Sequence, residues 1–152
     1  MVCLGNICRS PLAHGILEHK VQQQHLDWDI DSCGTGGWHA GEKPDMRSRA
    51  IAQDNGIDIN AQRARKITAD DIANYDLIFA MDASNYQDIL HYCHTDEERA
   101  KVKMILNEVN PGMNGQVPDP YYGGPDGFKK VFEMLDEACD KIIEHYRSFF
   151  TA

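Results

Sequence analysis

Short apolar runs alternate with helix-patterned stretches along this chain, and that alternation restricts its fold more than any other feature. Trp28 to Cys33 alternates apolar and polar residues and reads as a strand. Asp76-Leu77-Ile78-Phe79-Ala80 reads as a buried strand, and Lys103 to Leu106 as the next one. Helical patterns lie between them. Leu12, Ala13, Ile16, Leu17 and Val21 recur at helical spacing, with Ser10 expected at or near the cap and Pro11 in the first turn. Pro44 is expected to open a second helix, which Asn55-Gly56 closes with a left-handed turn. Thr68 is placed to cap a short helix from Ala69 to Asn74, another helix runs from Asn85 to near Cys93, and Asp96 to Val102 adds a short helical segment. From Phe128, the positions Val131, Phe132, Leu135, Ala138, Cys139, Ile142, Ile143 and Tyr146 mark one long amphipathic helix. The preceding segment, Asn107 to Gly127, holds four prolines and is expected to be mostly loop. Such alternation makes an α/β domain with a mainly parallel sheet. Ligands of these sheets sit beyond the carboxyl ends of the strands.

The 152 residues suit a single domain, 1–152, with one core. A hydrophobic share of 42% argues for a packed fold rather than disorder. No apolar run reaches the roughly 18 residues of a membrane span. No basic stretch followed by an apolar run opens the chain, so no signal peptide is expected and the default location is cytoplasmic. A formal net charge of −9 argues against nucleic acid as a partner, because a phosphate backbone needs a basic footprint. It leaves room for a local anion site, since backbone N–H groups and one arginine outweigh distant, screened charges. The five cysteines (Cys3, Cys8, Cys33, Cys93 and Cys139) are odd in number and form no CxxC pair. Neither a disulfide framework nor a structural zinc site is expected. The histidines form no metal-ligand pattern either, and no metal and no cofactor are expected.

The stretch that carries chemistry is Val2-Cys3-Leu4-Gly5-Asn6-Ile7-Cys8-Arg9-Ser10-Pro11, a cysteine and an arginine separated by five residues and followed by serine. Between a strand and a helix, such a loop turns the N–H groups of Leu4, Gly5, Asn6, Ile7 and Cys8 inward as an anion cradle, and the helix N-terminus adds positive potential. Gly5 permits unusual backbone angles, and Asn6 tolerates the left-handed region. Arg9 supplies a planar fork for two phosphate oxygens. The same field favours the thiolate of Cys3, to which Ser10 is placed to donate. A thiolate beside bound phosphate attacks phosphorus in line, and the cradle stabilises the equatorial oxygens. Downstream, Asp119-Pro120-Tyr121-Tyr122 lies in the loop before the last helix. A carboxylic acid there is expected to protonate a departing tyrosyl oxygen and then to take a proton from water.

Cys3 to Ser10 and Asp119 to Tyr122 closely resemble the low-molecular-weight protein-tyrosine-phosphatase family. The likeness extends over nearly the whole chain, including Asp31-Ser32, Gly56-Ile57, Ala64-Arg65-Lys66-Ile67-Thr68 and Met81-Asp82-Ala83-Ser84-Asn85. It implies a doubly wound, four-stranded parallel sheet with helices on both faces and the phosphate-binding loop between the first strand and first helix. It implies Cys3 as nucleophile, Arg9 as phosphate clamp and Asp119 as general acid. Asn6, Ser10 and Ser32 would brace the loop, and Trp38 and Tyr121, with Tyr122 beside it, would wall the substrate cleft. The substrate it implies is a phosphotyrosine-containing protein or a small aryl phosphate. The resemblance gives Asp82 a place near the cleft mouth, with no chemical role assigned.

Two positions depart from the family pattern. Gln62 stands where many relatives carry histidine, which leaves part of the loop-bracing network open. Only Met1 and Val2 precede Cys3, so the expectation is that the natural first strand is longer. Three other readings remain. A thiol-coupled arsenate reductase would need further relay cysteines, and Cys93 has no nearby partner in sequence. A phosphoarginine phosphatase typically carries threonine where this chain has Ile7. A phosphate-binding module without turnover would not need Cys3, Arg9 and Asp119 together. Cys3 and Cys8 lie five positions apart on one tight loop, so Cys8 is also expected to trap oxidised Cys3 as a disulfide.

Overall fold

The computed structural model describes residues 1–150. Four strands, β1 (Val2–Cys3), β2 (Cys33–Gly34), β3 (Ile78–Ala80) and β4 (Val102–Met104), form one parallel sheet in the order β2-β1-β3-β4. The helices are α1 (Arg9–Gln23), α2 (Met46–Asp54), α3 (Ala69–Asn74), α4 (Ala83–Leu90), α5 (Asp96–Lys101) and α6 (Pro125–Phe150). From β1 the chain winds outward to β2 on one side, then crosses back to β3 and β4 on the other. The crevice of such a sheet opens where the winding reverses, at the carboxyl end of β1. The loop from Leu4 to Cys8 lies there.

The strands alternate between two cores, as a period of two requires. Cys3 and Phe79 join Leu12, Ile16, Leu135 and Ile142 on the face covered by α1 and α6. Val2, Ile78, Ala80, Val102 and Met104 join Ile72, Ile89 and Cys93 on the face covered by α3 and α4. Leu12, Ile72, Ile89 and Leu135 are fully buried, and each contributes about 1.5–3 kcal/mol relative to an exposed position. No helix among the described residues is long and apolar enough to cross a membrane.

Several expected elements differ at their ends. The strand expected over Trp28 to Cys33 pairs only at Cys33–Gly34, because β1 supplies just Val2 and Cys3 as ladder partners. Trp28 and Ile30 still pack inward on the core, which is why the stretch alternates without joining the ladder. The strand expected over Lys103 to Leu106 runs from Val102 to Met104, where its register with β3 ends at Ala80, and Ile105–Glu108 turns into a 3₁₀ helix. Pro44 lies outside α2. Asp45 is the cap, accepting from the Arg47 N–H at 2.8 Å, and Gly56 takes the expected left-handed angle, φ 76°. Likewise α4 begins at Ala83 behind the cap Asp82, earlier than expected, and ends at Leu90, before Cys93. Thr68 caps α3 as expected, in a reciprocal capping box with Asp71. α1 begins at Arg9 with Cys8 at the cap position, so Ser10 is inside the helix and its hydroxyl serves another purpose.

Candidate active site

The phosphate-loop geometry follows from where its carbonyls go. Cys3 O accepts from Thr35 N at 2.9 Å, Leu4 O from Gly36 N at 2.8 Å, and Ile7 O from Asp45 N at 2.7 Å. Cys8 O accepts from Ser48 Oγ at 3.2 Å. No peptide bond in the loop is cis, so each N–H points opposite to the carbonyl it is bonded to. Turning these four carbonyls outward therefore turns the N–H groups of Leu4, Gly5, Cys8 and Arg9 inward. Asn6 makes the bend, with φ 57° in the left-handed region. Its side chain locks that bend, accepting from Arg65 N at 3.1 Å and donating to Ser10 Oγ at 2.8 Å. Together with the N-terminus of α1, the loop is a concave anion site.

Cys3 Sγ lies 3.0 Å from Ser10 Oγ. Asn6 already donates to that hydroxyl, so the Ser10 proton is free to point at the sulfur. Another acceptor near it, Cys33 O, is farther away, at 3.5 Å. Cys8 differs from Cys3 in environment. Burial, with the Asp45 carboxylate nearby, pushes its thiol up to about 12 and keeps it a neutral thiol. Cys33 is likewise pushed up to about 12 by burial, and burial also raises Cys93 and Cys139. All five thiols are free.

Arg9 is only 3% exposed. Its Nη1 donates to Asp82 Oδ2 at 2.7 Å and to Val117 O at 3.0 Å. That grip leaves Nε and Nη2 for a ligand. Asp119 faces the same guanidinium, Oδ2 lying 3.8 Å from Arg9 Nη2. Its other oxygen accepts from Tyr121 N at 3.0 Å, closing an Asp-Pro-Tyr turn that fixes the carboxyl group. Cys3, Arg9 and Asp119, far apart in sequence, thus converge at one end of the sheet. The broad groove at the other end, past Trp28, Tyr75 and Phe150, contains none of them.

The aromatic residues are arranged less uniformly. Trp38 stands 73% exposed, its ring stacked so closely over Gly36 that a Cβ there would run into it. Tyr121 is partly exposed and meets Tyr122 edge-on at 4.9 Å, while Tyr122 projects into solvent. In the loop itself the Leu4 side chain is exposed and that of Ile7 half-buried.

A family model for low molecular weight phosphotyrosine protein phosphatase matches residues 1–148. A Schizosaccharomyces pombe low molecular weight phosphotyrosine protein phosphatase is 46% identical over 146 residues, covering 94% of this chain and 92% of the relative. The chain belongs to the low molecular weight phosphotyrosine protein phosphatase family. The crystal structure of an Entamoeba histolytica protein tyrosine phosphatase superposes with a TM-score of 0.90 at 36% identity, covering 97% of this chain and 94% of that one. A Drosophila arginine phosphatase superposes with a TM-score of 0.89 at 32% identity, covering 96% and 95%. The doubly wound sheet and the loop between β1 and α1 are therefore the family's architecture.

Within this family member, one expected brace takes a different route. Among the described residues, the hydrogen bonds of Ser32 go elsewhere than the phosphate loop. Its hydroxyl pairs with His14 Nδ1 on α1 at 3.0 Å, and His14 Nε2 lies 3.3 Å from Glu18. Burial lowers the His14 pKa, and Glu18 opposes that shift. Gln62, at the departure from the family pattern, donates to Pro11 O at 3.1 Å, which ties the start of α1 down by a side-chain amide.

Three contributors escaped sequence reasoning. Asp82 was given no chemical role, yet it holds Arg9 while capping α4 through Asn85 N at 2.8 Å. An aspartate two residues after a buried strand stands at the carboxyl end of the sheet, and that position was the available signal. Gly34 is required because a Cβ there would come within 2.8 Å of Leu4 O and 3.1 Å of Asn6 N. Arg47 has no local signal at all. It is an ordinary charged residue in the first turn of a helix.

Proposed function

We propose that this chain hydrolyses phosphotyrosine and related aryl phosphates through a cysteinyl-phosphate intermediate, without a metal or cofactor, as one catalytic domain of residues 1–152. The observation that carries this reading is the convergence of Cys3, Arg9 and Asp119 around an inward-turned N–H cradle. Cys3 Sγ attacks phosphorus while Asp119 gives its proton to the departing phenolic oxygen. Asp119, now a carboxylate, takes a proton from water as that water attacks phosphorus, and Cys3 leaves as a thiolate with inorganic phosphate as product. Ser10 and the α1 N-terminus stabilise that thiolate. The loop N–H groups and Arg9 hold the equatorial oxygens through both steps. Leu4, Ile7, Trp38, Tyr121 and Tyr122 make the surroundings of the cradle aromatic and apolar, which suits a flat phenyl group. Five free thiols suit a reducing, cytoplasmic setting.

The experiment compares kcat/KM for phosphotyrosine, phosphoserine and phosphoarginine peptides. Phosphotyrosine is expected to lead, because a short serine side chain cannot carry its phosphate to Cys3 past the cleft walls. Trp38→Ala is expected to cut the phosphotyrosine preference about tenfold, the usual scale for one apolar wall, with the cradle intact. A ratio near one for tyrosine over serine contradicts the reading. The likeness to the Drosophila arginine phosphatase makes phosphoarginine the informative competitor, and a phosphoarginine lead would reassign the substrate while leaving the chemistry in place.

Cys8 adds a redox element to the same proposal. Peroxide oxidises the Cys3 thiolate to a sulfenic acid, and the Cys8 thiol displaces water from that sulfur to form a disulfide. Burial raises the Cys8 thiol, which keeps it protonated until Cys3 is oxidised. After peroxide and then dithiothreitol, wild type is expected to recover most of its activity and Cys8→Ala little. Equal recovery, with no Cys3–Cys8 peptide by mass spectrometry, removes Cys8 from redox protection.

A further inference from the structure

Asp119 sits on a loop whose other contacts decide where its carboxyl group points, and one side chain outside the cradle joins that loop to the phosphate loop. Arg47 Nη1 donates to Tyr121 O at 3.0 Å. Its guanidinium lies over the Tyr121 ring at 5.3 Å and over the buried Phe128 ring of α6 at 4.6 Å. Asp45 grips the same guanidinium through Nε at 3.0 Å and Nη2 at 3.1 Å. Asp45 is in turn fixed to the phosphate loop, because its own N–H donates to Ile7 O at 2.7 Å. The Tyr121 residue is therefore held from both ends, its N–H by Asp119 and its carbonyl by Arg47.

We propose that Arg47 is a positioning residue that latches the Asp119 loop to the phosphate loop, and so sets the distance between the general acid and the leaving group. The inference rests on Asp119 being the acid. The hydrogen bonds that Arg47 makes go to Asp45 and Tyr121 and not to the cradle, so it acts through Asp119 and not on phosphate. Its planar fork is essential, since it meets a carboxylate, a carbonyl and two aromatic faces at once. A lysine ammonium, a point charge on a flexible stem, cannot make all of these contacts.

The test uses kcat/KM, which reports formation of the cysteinyl-phosphate, with two esters. Phenyl phosphate needs a proton on its leaving oxygen, and 2,4-dinitrophenyl phosphate does not. Arg47→Ala is expected to lose about ten- to hundredfold on phenyl phosphate, the scale of a small misplacement of a catalytic group, and to keep its rate on the dinitrophenyl ester. Inhibition by inorganic phosphate should be unchanged, which also reports an intact cradle. In an Asp119→Asn background, Arg47→Ala should cause no further loss, because both changes remove the same proton transfer. Arg47 itself is solvent-exposed, and an ion pair with an exposed partner contributes little to stability, so the variant is expected to fold. Arg47→Lys, milder still, should lose activity in the same ester-dependent way.

Equal losses on both esters, a further loss in the Asp119→Asn background, or a fully active Arg47→Lys would each overturn the latch. If Asp119→Asn itself is as fast as wild type on phenyl phosphate, the acid assignment fails and the latch with it. If Asp119→Asn is slow and Arg47→Ala is not, only the latch is wrong.

Discussion

Cys3→Ser is expected to abolish aryl-phosphate hydrolysis, a fall of about 10⁵-fold or more, the scale seen when a covalent nucleophile is removed. The sulfur at this position is hydrogen-bonded to the Ser10 hydroxyl, which is not a base. The Ser10 hydroxyl 3.0 Å away and the inward N–H groups are arranged to stabilise an anion and not to accept a proton. Phosphate affinity should survive, because the cradle is built from backbone and from Arg9, whose Nη1 is held by Asp82 and Val117 independently of the sulfur. The measurement pairs turnover with phosphate binding by calorimetry. Loss of both would mean that the loop had collapsed, and retention of turnover would remove Cys3 from the mechanism. Wild-type activity should be indifferent to EDTA. Loss on chelation, restored by a divalent ion, would show that the metal-free route is wrong.

Asp119→Asn is expected to slow phenolic substrates by roughly 10²–10⁴-fold, the usual contribution of a positioned general acid. The asparagine keeps the shape of the turn, since its side-chain oxygen still accepts from Tyr121 N, but it has no proton to give. The loss should shrink as the leaving group becomes more acidic. An Asp119→Asn enzyme equal to wild type on phosphotyrosine would exclude this carboxylate.

These two expectations rest on different kinds of information. The Cys3 loop could be read from the sequence because its parts are local. Cys3, Gly5, Asn6, Arg9 and Ser10 lie within one turn and the start of a helix, where spacing alone decides which groups face inward. The Thr68–Asp71 capping box and the apolar stripe of α6 are legible for the same reason. The helix start is legible too, since Ser10 and Pro11 fall in the first turn behind the cap Cys8. Ser10 has the pattern of a cap, but its hydroxyl is committed to Cys3 and Asn6 instead.

What the linear pattern does not carry is the identity of partners remote in sequence. The lengths of β2 and β4 were overestimated because a strand extends only as far as its neighbour offers a ladder, and that neighbour is chosen by topology. Ser32 finds His14, not the loop, because the packing of α1 brings the imidazole to it. Arg9 meets Asp82 across 73 positions and Val117 across 108, and Arg47 meets Tyr121 across 74. The sequence by itself determined the chemistry of the nucleophile loop and the type of each main element, because these follow from short-range geometry and periodicity. The tertiary structure alone decided how Arg9 is aimed, what holds the Asp119 loop and where each strand stops, because a directional hydrogen bond depends on two chain segments arriving at the same place, and no local spacing records that.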